Sequence, residues 1–151
     1  MAVRFKRRRR WILPSLAAAG LLALFVTIDD WSRDFTTNYF VMTETARDPA
    51  LRPILFERPS DEVVVAVQEA ALRIKNWELV GTVKMDDTTM IAFERTSRVL
   101  RFKDDIIVRV EDLGNRCRVG GESRSRREHG DLGQNPRNLR RILTELQTVL
   151  D

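Results

Sequence analysis

The chain has 151 residues, of which 43% are hydrophobic and 32% are charged. This length suits one domain and argues against a two-domain enzyme, and the hydrophobic content excludes a wholly disordered chain. The formal charge is +4, but six of the 26 basic residues lie in the first ten positions, where no acidic residue occurs. The other 20 basic and 22 acidic residues leave the rest of the chain at −2. The excess of positive charge therefore lies at the N-terminal end and not in the rest of the chain, which argues against nucleic acid as a partner. The single cysteine, Cys117, excludes an internal disulfide and a thiolate cluster. No cofactor and no metal are predicted.

An uncharged run of 18 residues, from Trp11 to Ile28, follows the basic tail of residues 1–10. As a helix, this run would be about 27 Å long, close to the thickness of the hydrocarbon layer. The 18 residues after it hold one arginine and four acidic residues, so most of the positive charge precedes the run. By the positive-inside rule, the tail stays in the cytoplasm and the rest is exported. The sequence predicts a single-pass signal anchor in a bacterial inner membrane, with the bilayer as a partner and the domain in the periplasm.

A cleaved signal peptide is the alternative interpretation of this run. Such peptides have an apolar stretch of about 7–15 residues and end at small residues. The present run is longer and ends in Phe25, Val26, Thr27 and Ile28, so we favour the uncleaved anchor over residues 11–28. Prolines and the lack of helical periodicity then predict an extended tether over residues 29–49 that partly packs on the domain. Residues 50–151 are predicted to form the domain.

The first half of the domain predicts one helix and a hairpin. Ser60 is expected to cap an amphipathic helix whose apolar stripe is Val63, Val67, Ala70 and Ile74. Residues 77–85 and 89–97 alternate in polarity around a turn at Asp86–Asp87, as two paired strands do. The apolar positions Trp77, Leu79, Val83 and Met85 are expected on one side of the first of these strands.

The second half predicts two further strands and a helix. Strands are expected over 106–112 and 116–126 with a turn at Gly114–Asn115, and residues 98–103 form a short strand or a crossing loop. Asn135 is the expected N-cap of the last helix, with Pro136 at its first position. After the transmembrane helix, the order is therefore a helix, about four antiparallel strands and a C-terminal helix. This order predicts an α+β domain with both helices on one sheet face.

Two blocks of sequence, residues 94–110 (ERTSRVLRFKDDIIVRV) and 120–143 (GGESRSRREHGDLGQNPRNLRRIL), carry a family resemblance. They resemble the uncharacterised bacterial and plastid family known as domain of unknown function 1499. The matching positions are Arg98, Arg101, Phe102, Asp104, Asp105, Ser123, Arg124, Ser125, Arg126, Asp131, Gly133, Asn135, Arg137 and Ile142. The chain departs from the family pattern at residues 127–130. The resemblance implies a domain often attached to a signal or membrane segment, and it implies no activity.

The pair Asp104–Asp105 has the chemistry of a divalent-cation ligand or a general acid/base pair. Neighbouring residues on a strand, however, point to opposite faces of the sheet. Either site would therefore need distant carboxylates such as Asp131 or Glu122. We favour the other interpretation, in which one aspartate turns the chain and the other pairs with Arg124 or Arg126.

An unbulged strand over 116–126 would place Arg116, Arg118, Glu122, Arg124 and Arg126 on one face, and Cys117, Val119, Ser123 and Ser125 on the other. A bulge at Gly120–Gly121 would exchange the faces part-way. The loop from Gly130 to Gly133 leads to a helix N-terminus, where amides favour an anion among Arg137, Arg140 and Arg141. That anion is either an internal carboxylate, Asp131 or Glu128, or an external phosphate, lipid headgroup or polymer carboxylate. The candidate ligand-binding residues are Arg101, Asp104, Asp105, Ser123, Arg124, Ser125, Arg126, Asp131, Gly133 and Asn135.

The residue types of a nucleophilic triad occur in His129, Asp131 and either Ser123 or Ser125. The G-x-S-x-G elbow that exposes such a serine is missing, so no catalytic residue is predicted. The predicted function is that of a membrane-anchored envelope domain that binds an anionic envelope component or a protein partner, with no catalytic mechanism assigned. The alternatives are an envelope hydrolase that uses Asp104, Asp105 and Asp131, and a non-catalytic scaffold that meets another membrane protein through the anchor.

Overall fold

The computed structural model describes residues 37–98, 100–127 and 130–151. The basic tail, the predicted anchor over residues 11–28, the first part of the predicted tether and His129 lie outside the described residues. Within the described ranges, no helix has both the length and the apolar character needed to cross a bilayer.

The fold is α+β, as the sequence predicts, and consists of a six-stranded antiparallel sheet and two helices. The elements in chain order are β1 (Tyr39–Val41), a 3₁₀ turn (Pro49–Leu51), β2 (Ile54–Phe56), α1 (Ser60–Arg73), β3 (Trp77–Met85), β4 (Thr88–Thr96), β5 (Lys103–Asp112), β6 (Cys117–Ser125) and α2 (Gln134–Leu150). The strand order in the sheet is β1-β6-β5-β4-β3, and β2 pairs with the first part of β6.

Both helices pack against one face of the sheet and against each other. Alternation along β5 buries Ile106, Val108 and Val110 on this face, where they meet the apolar stripes of the helices. The pairing of β6 with β5 runs without interruption from Cys117 to Ser125. The strand is therefore unbulged at its two glycines, and the predicted division of its residues between two faces is confirmed. We call the face without helices the open face.

The predicted caps of the two helices are wrong. Ser60 is the first residue of α1 and not its cap; its hydroxyl donates a hydrogen bond to Asp112 Oδ2 at 2.8 Å. The backbone N–H of Gly114 and this hydroxyl together lower the pKa of Asp112. Helix α2 begins at Gln134 after Gly133, whose φ of 74° ends the preceding loop, and Asn135 lies inside the helix. Both side chains reach across to the sheet instead of bonding their own helix ends.

The segment before residue 50 contributes to the sheet. Residues 39–41 of the predicted tether pair with β6 as an edge strand, and a turn stabilised by Asp48 follows. This is the packing of the tether on the domain that we expected, but it adds a strand to the four predicted. The second additional strand, β2, pairs beside it on β6.

Strand β3 is the other edge, and its predicted apolar side is divided. A bulge between Leu79 and Gly81 shifts the register, so that Leu79 pairs with Phe93 whereas Val83 pairs with Met90. Residues before and after the bulge consequently face opposite sides of the sheet. Only Trp77 is buried, packed against Phe93 with ring centroids 5.8 Å apart, whereas Val83 and Met85 are exposed.

Candidate functional site

Six polar side chains are buried where the ends of β5 and β6 meet the start of α2. None exceeds 6% exposure, and we call them the polar cluster: Asp104, Ser123, Ser125, Asp131, Asn135 and Asn138. The strand residues occupy the helix-facing positions that are apolar further along the same strands. At this end, the core of the domain therefore changes from apolar packing to hydrogen bonding.

A chain of hydrogen bonds joins most of the polar cluster. Asp104 Oδ2 accepts from Arg95 Nη1 at 2.6 Å and from Asn138 Nδ2 at 3.1 Å. The same amide nitrogen lies 3.1 Å from Ser123 Oγ, which donates to Asn135 Oδ1 at 2.7 Å. The buried charge of Asp104 is thus balanced by one guanidinium and one amide, as a buried carboxylate requires.

Asp131 fixes the start of α2. Its Oδ1 accepts from the N–H of Gly133 at 3.0 Å, and its Oδ2 accepts from the N–H of Asn135 at 2.5 Å. A carboxylate in this position satisfies amides that have no partner within the helix and interacts favourably with the helix dipole. A carboxylate of the chain itself therefore occupies the helix N-terminus, and its bond to the N–H of Asn135 places Asn135 inside the helix.

Beside the polar cluster lies a cavity of about 370 Å³ that we call the arginine cleft. Four arginines line it, together with an apolar wall of Leu100, Phe102 and Leu132. Asp104, Ser125 and Asp131 line its buried side; the full arginine set is Arg95, Arg98, Arg127 and Arg137. The guanidinium of Arg127 lies 4.3 Å from the ring centroid of Phe102, a cation–π contact that ties the two walls together.

The hydroxyl of Ser125 is the unusual group in this cleft. Ser125 is only 2% exposed, yet its side chain makes no hydrogen bond within the described ranges of the chain. Burying a hydroxyl without a partner is unfavourable by about 1–3 kcal/mol. A hydroxyl in such a place is therefore ready to bond a molecule that enters the cleft.

A second cavity of about 500 Å³, the side groove, adjoins the arginine cleft. The two share Arg95, Gln134 and Arg137, and the side groove adds Trp77, Arg140, Arg141, Thr144 and others from α2. Together, six arginines and three carboxylates line them, so the combined surface is net positive. Asp48, on the 3₁₀ turn, bonds Arg140 at 2.6 Å. Burial opposes its charged form, but the N–H of Ala50 and the Arg140 guanidinium outweigh it and lower the pKa of Asp48.

The structure separates the sequence-predicted residues into two groups. Asp104, Ser123, Ser125, Asp131, Gly133 and Asn135 come together at the polar cluster. Asp105 and Arg126 lie on the open face and bond each other at 2.6 Å and 2.9 Å, with Glu94 3.0 Å from the same guanidinium. Arg124 is exposed on the open face beside Tyr39, and Arg101 is exposed in the loop before β5 with a φ of 56°.

The prediction for the aspartate pair is therefore half right. Asp105 pairs with Arg126, which raises the pKa of Arg126 through a hydrogen bond and charge attraction. A hydrogen bond from Lys103 and the charge of Arg126 likewise lower the pKa of Glu94. Asp104 does not turn the chain. It lies within β5 and pairs with Arg95, because the register of β4 and β5 places these two residues opposite each other.

Sequence reasoning missed Arg95, Arg98 and Asn138. A signal for Asn138 was present, since Asn135 and Asn138 lie on the same helical face as Leu139 and Ile142, and polar residues on a buried face imply buried partners. Arg95 had no comparable signal, because its pairing depends on a strand register that the connecting loop does not encode.

The described residues hold no group of three or more His, Cys, Asp or Glu side chains that could bind a metal ion. Ser123 is bonded to two amides, and Asp104 and Asp105 lie on opposite faces of the sheet, as expected for neighbours on a strand. Of the three carboxylates considered for hydrolysis, Asp104 and Asp131 line the arginine cleft and Asp105 does not.

Fold and site together define a two-layer α+β domain with an arginine-lined cleft beside a buried Asp/Asn/Ser network. The chain belongs to the family described as "Protein of unknown function (DUF1499)", whose sequence model matches residues 31–146. This match confirms the resemblance carried by the two sequence blocks. No curated protein and no solved structure matches the chain.

Proposed function

We propose that this chain is a single-pass membrane protein whose α+β domain binds an anionic component of the bacterial envelope. The observation that carries the proposal is the arginine cleft, where four arginines line the same cavity as a buried hydroxyl that has no partner in the described part of the chain. Phosphate and carboxylate oxygens are the acceptors that such donors recognise best.

The charge balance of the cleft supports an anion and not a cation. Four arginines face two carboxylates, and each of these carboxylates is already bonded, Asp104 to Arg95 and Asp131 to helix amides. Arg98 and Arg141 make no ion pair with any described residue, although they line the two cavities. A scaffold with a purely structural arginine network would instead pair these cations internally.

Binding is favoured over hydrolysis for a related reason. A general base needs a lone pair directed at a substrate proton. Asp104 Oδ2 accepts bonds from Arg95 and Asn138, and both oxygens of Asp131 accept from backbone amides, so both carboxylates serve as structural acceptors.

The location in the membrane follows from the sequence and is part of the proposal. An uncharged run of 18 residues after six basic residues supports an anchor with the domain outside the cytoplasm. Carbonate-washed membranes should retain the full chain, and an alkaline phosphatase fused after residue 60 should be active. Release by carbonate, or an inactive fusion beside an active cytoplasmic reporter, would contradict this part.

Isothermal titration of the full chain in neutral detergent with inorganic phosphate tests the binding. Arg98→Gln should weaken phosphate binding at least about threefold, since it removes one exposed cation from the cleft. Arg116→Gln is the matched control, because Arg116 is also exposed but lies in the turn at the far end of β5 and β6. Equal affinities of the two variants, or no heat for the unmodified chain, would refute the proposal.

A further inference from the structure

The arginine cleft is amphiphilic. One wall carries guanidinium groups, whereas Leu100, Phe102 and Leu132 form an apolar wall beside them. Leu100 is 66% exposed, although a leucine side chain gains free energy when it is covered. A free inorganic anion would use only the charged wall. A ligand with a phosphate next to hydrocarbon would use both.

The part of the chain that enters the domain is bonded to the wall of this cleft. The carbonyl of Asn38 accepts from the N–H of Ser125 at 2.7 Å and from Asn135 Nδ2 at 2.8 Å. The side-chain amide of Asn38 donates to the carbonyl of Arg127 at 3.0 Å. The position of the cleft relative to Asn38 is therefore fixed by three hydrogen bonds.

This attachment limits the distance between the cleft and the membrane. Nine residues lie between Ile28, the end of the apolar run, and Asn38. The ten residue steps from Ile28 to Asn38 extend over at most about 33–36 Å, which is close to the diameter of a small domain. Exposed Tyr39 follows directly, and tyrosine is enriched at membrane interfaces. The chain thus limits Asn38, to which the cleft is bonded, to within about 36 Å of the end of the proposed anchor.

We propose that the ligand of the arginine cleft is the phosphate headgroup of an anionic phospholipid. The apolar wall of Leu100, Phe102 and Leu132 covers the adjoining glycerol and acyl carbons. This inference rests on the proposed function and specifies its ligand. The phosphate oxygens accept from the guanidinium groups and from the hydroxyl of Ser125, which thereby gains the partner it lacks among the described residues.

The experiment titrates the full chain in neutral detergent with three probes: glycerol 3-phosphate, dihexanoyl phosphatidylglycerol and dihexanoyl phosphatidylcholine. The short-chain phosphatidylglycerol should bind about tenfold more tightly than glycerol 3-phosphate, an advantage that two buried methylene groups supply. It should also bind more tightly than phosphatidylcholine, whose headgroup has no net charge.

Two variants test the two walls separately. Ser125→Ala should weaken both anionic probes about two- to tenfold, the effect of one hydrogen bond. It should not lower the thermal midpoint of the free protein, because the hydroxyl bonds no described residue. Leu100→Ser should remove most of the advantage of phosphatidylglycerol and leave glycerol 3-phosphate binding unchanged. Arg116→Gln again serves as the control. Every sample contains the basic tail of residues 1–10, so differences between variants do not come from the tail.

Equal affinity for glycerol 3-phosphate and phosphatidylglycerol would overturn the lipid inference and leave the proposed anion-binding function in place. Equal affinity for phosphatidylcholine and phosphatidylglycerol, or no binding of any probe, would overturn both. Retention of full affinity by Ser125→Ala would overturn the assignment of the ligand to this cleft.

Discussion

The ion pair of Asp104 and Arg95 offers a quantitative test of the polar cluster. The side chain of Asp104 is 3% exposed and that of Arg95 is 22% exposed, with 2.6 Å between Oδ2 and Nη1. Breaking a buried pair by removing one partner destabilises a protein by roughly 3–5 kcal/mol. Because Arg95 can reach water, we expect Asp104→Asn to lower the free energy of unfolding by a smaller amount, about 2–3 kcal/mol.

Urea denaturation of the full chain in neutral detergent, followed by the fluorescence of Trp77, measures this loss. Trp11 and Trp31 are replaced by Phe in every sample so that only Trp77 emits. The double variant Asp104→Asn, Arg95→Gln should lose less free energy of unfolding than the sum of the losses of the two single variants. The difference, which is the coupling energy of the pair, should be about 1–2 kcal/mol.

Strands β5 and β6 supply a matched control. Arg109 and Glu122 form an ion pair at 2.8 Å on the open face, with side chains 38% and 33% exposed. Glu122→Gln should lower the free energy of unfolding by less than about 1 kcal/mol, because exposed ion pairs contribute little to stability. If Asp104→Asn costs no more than Glu122→Gln, or if its coupling to Arg95→Gln is absent, the polar cluster does not stabilise the domain as we argue.

Three further predictions concern other parts of the fold. The fold lowers the pKa of Glu94 below its ordinary value of 4.5 and that of Asp112 below 3.8. The two carboxylates therefore contribute their full stabilisation above about pH 5 and lose it as the pH falls. The urea midpoint should accordingly drop on acidification. An unchanged midpoint at about pH 4 would contradict this sign. Gly121→Ala should destabilise by about 1–3 kcal/mol, because its Cβ would lie 2.9 Å from a β5 carbonyl oxygen and 3.2 Å from a leucine of α2. Gly120→Ala, with no atom nearer than 3.9 Å, should be nearly neutral; equal melting temperatures would count against the packing described. Burial and the nearby charge of Asp112 raise the pKa of the Cys117 thiol, so iodoacetamide should label it only in urea, and rapid labelling of the folded protein would be inconsistent with that burial.

Much of the fold could be predicted because its longer elements carry regular patterns. Strands β4 to β6 alternate buried and outward-facing residues, and the stripe of α2 repeats at helical spacing. Strands β1 and β2 have three residues each, too few to show alternation, and exist through their pairing with β6. The bulge in β3 could not be predicted either, because an alternating pattern of apolar and polar residues does not show where the strand register shifts by one residue.

The sequence predicted several residues of the candidate site but few of the contacts between them. The helix-facing serines of β6 and the carboxylate before α2 follow from alternation and from helix-end electrostatics. The partner of Asp104 does not, because a register of one residue more or less between β4 and β5 would have placed another side chain beside it. The partner of Asp105 was narrowed to Arg124 or Arg126, because a short turn joins β5 and β6 and fixes their register. That register places Arg124 opposite Asp105, and the ion pair forms with Arg126, two residues further along the chain.

Native mass spectrometry of the full chain, extracted from its own membrane in neutral detergent, tests most directly that the arginine cleft holds an anionic envelope component. The unmodified chain should carry an adduct with the mass of an anionic phospholipid, and Arg98→Gln combined with Ser125→Ala should lose it while Arg116→Gln keeps it. A bare chain in all three samples, or the same adduct on all three, would contradict the account.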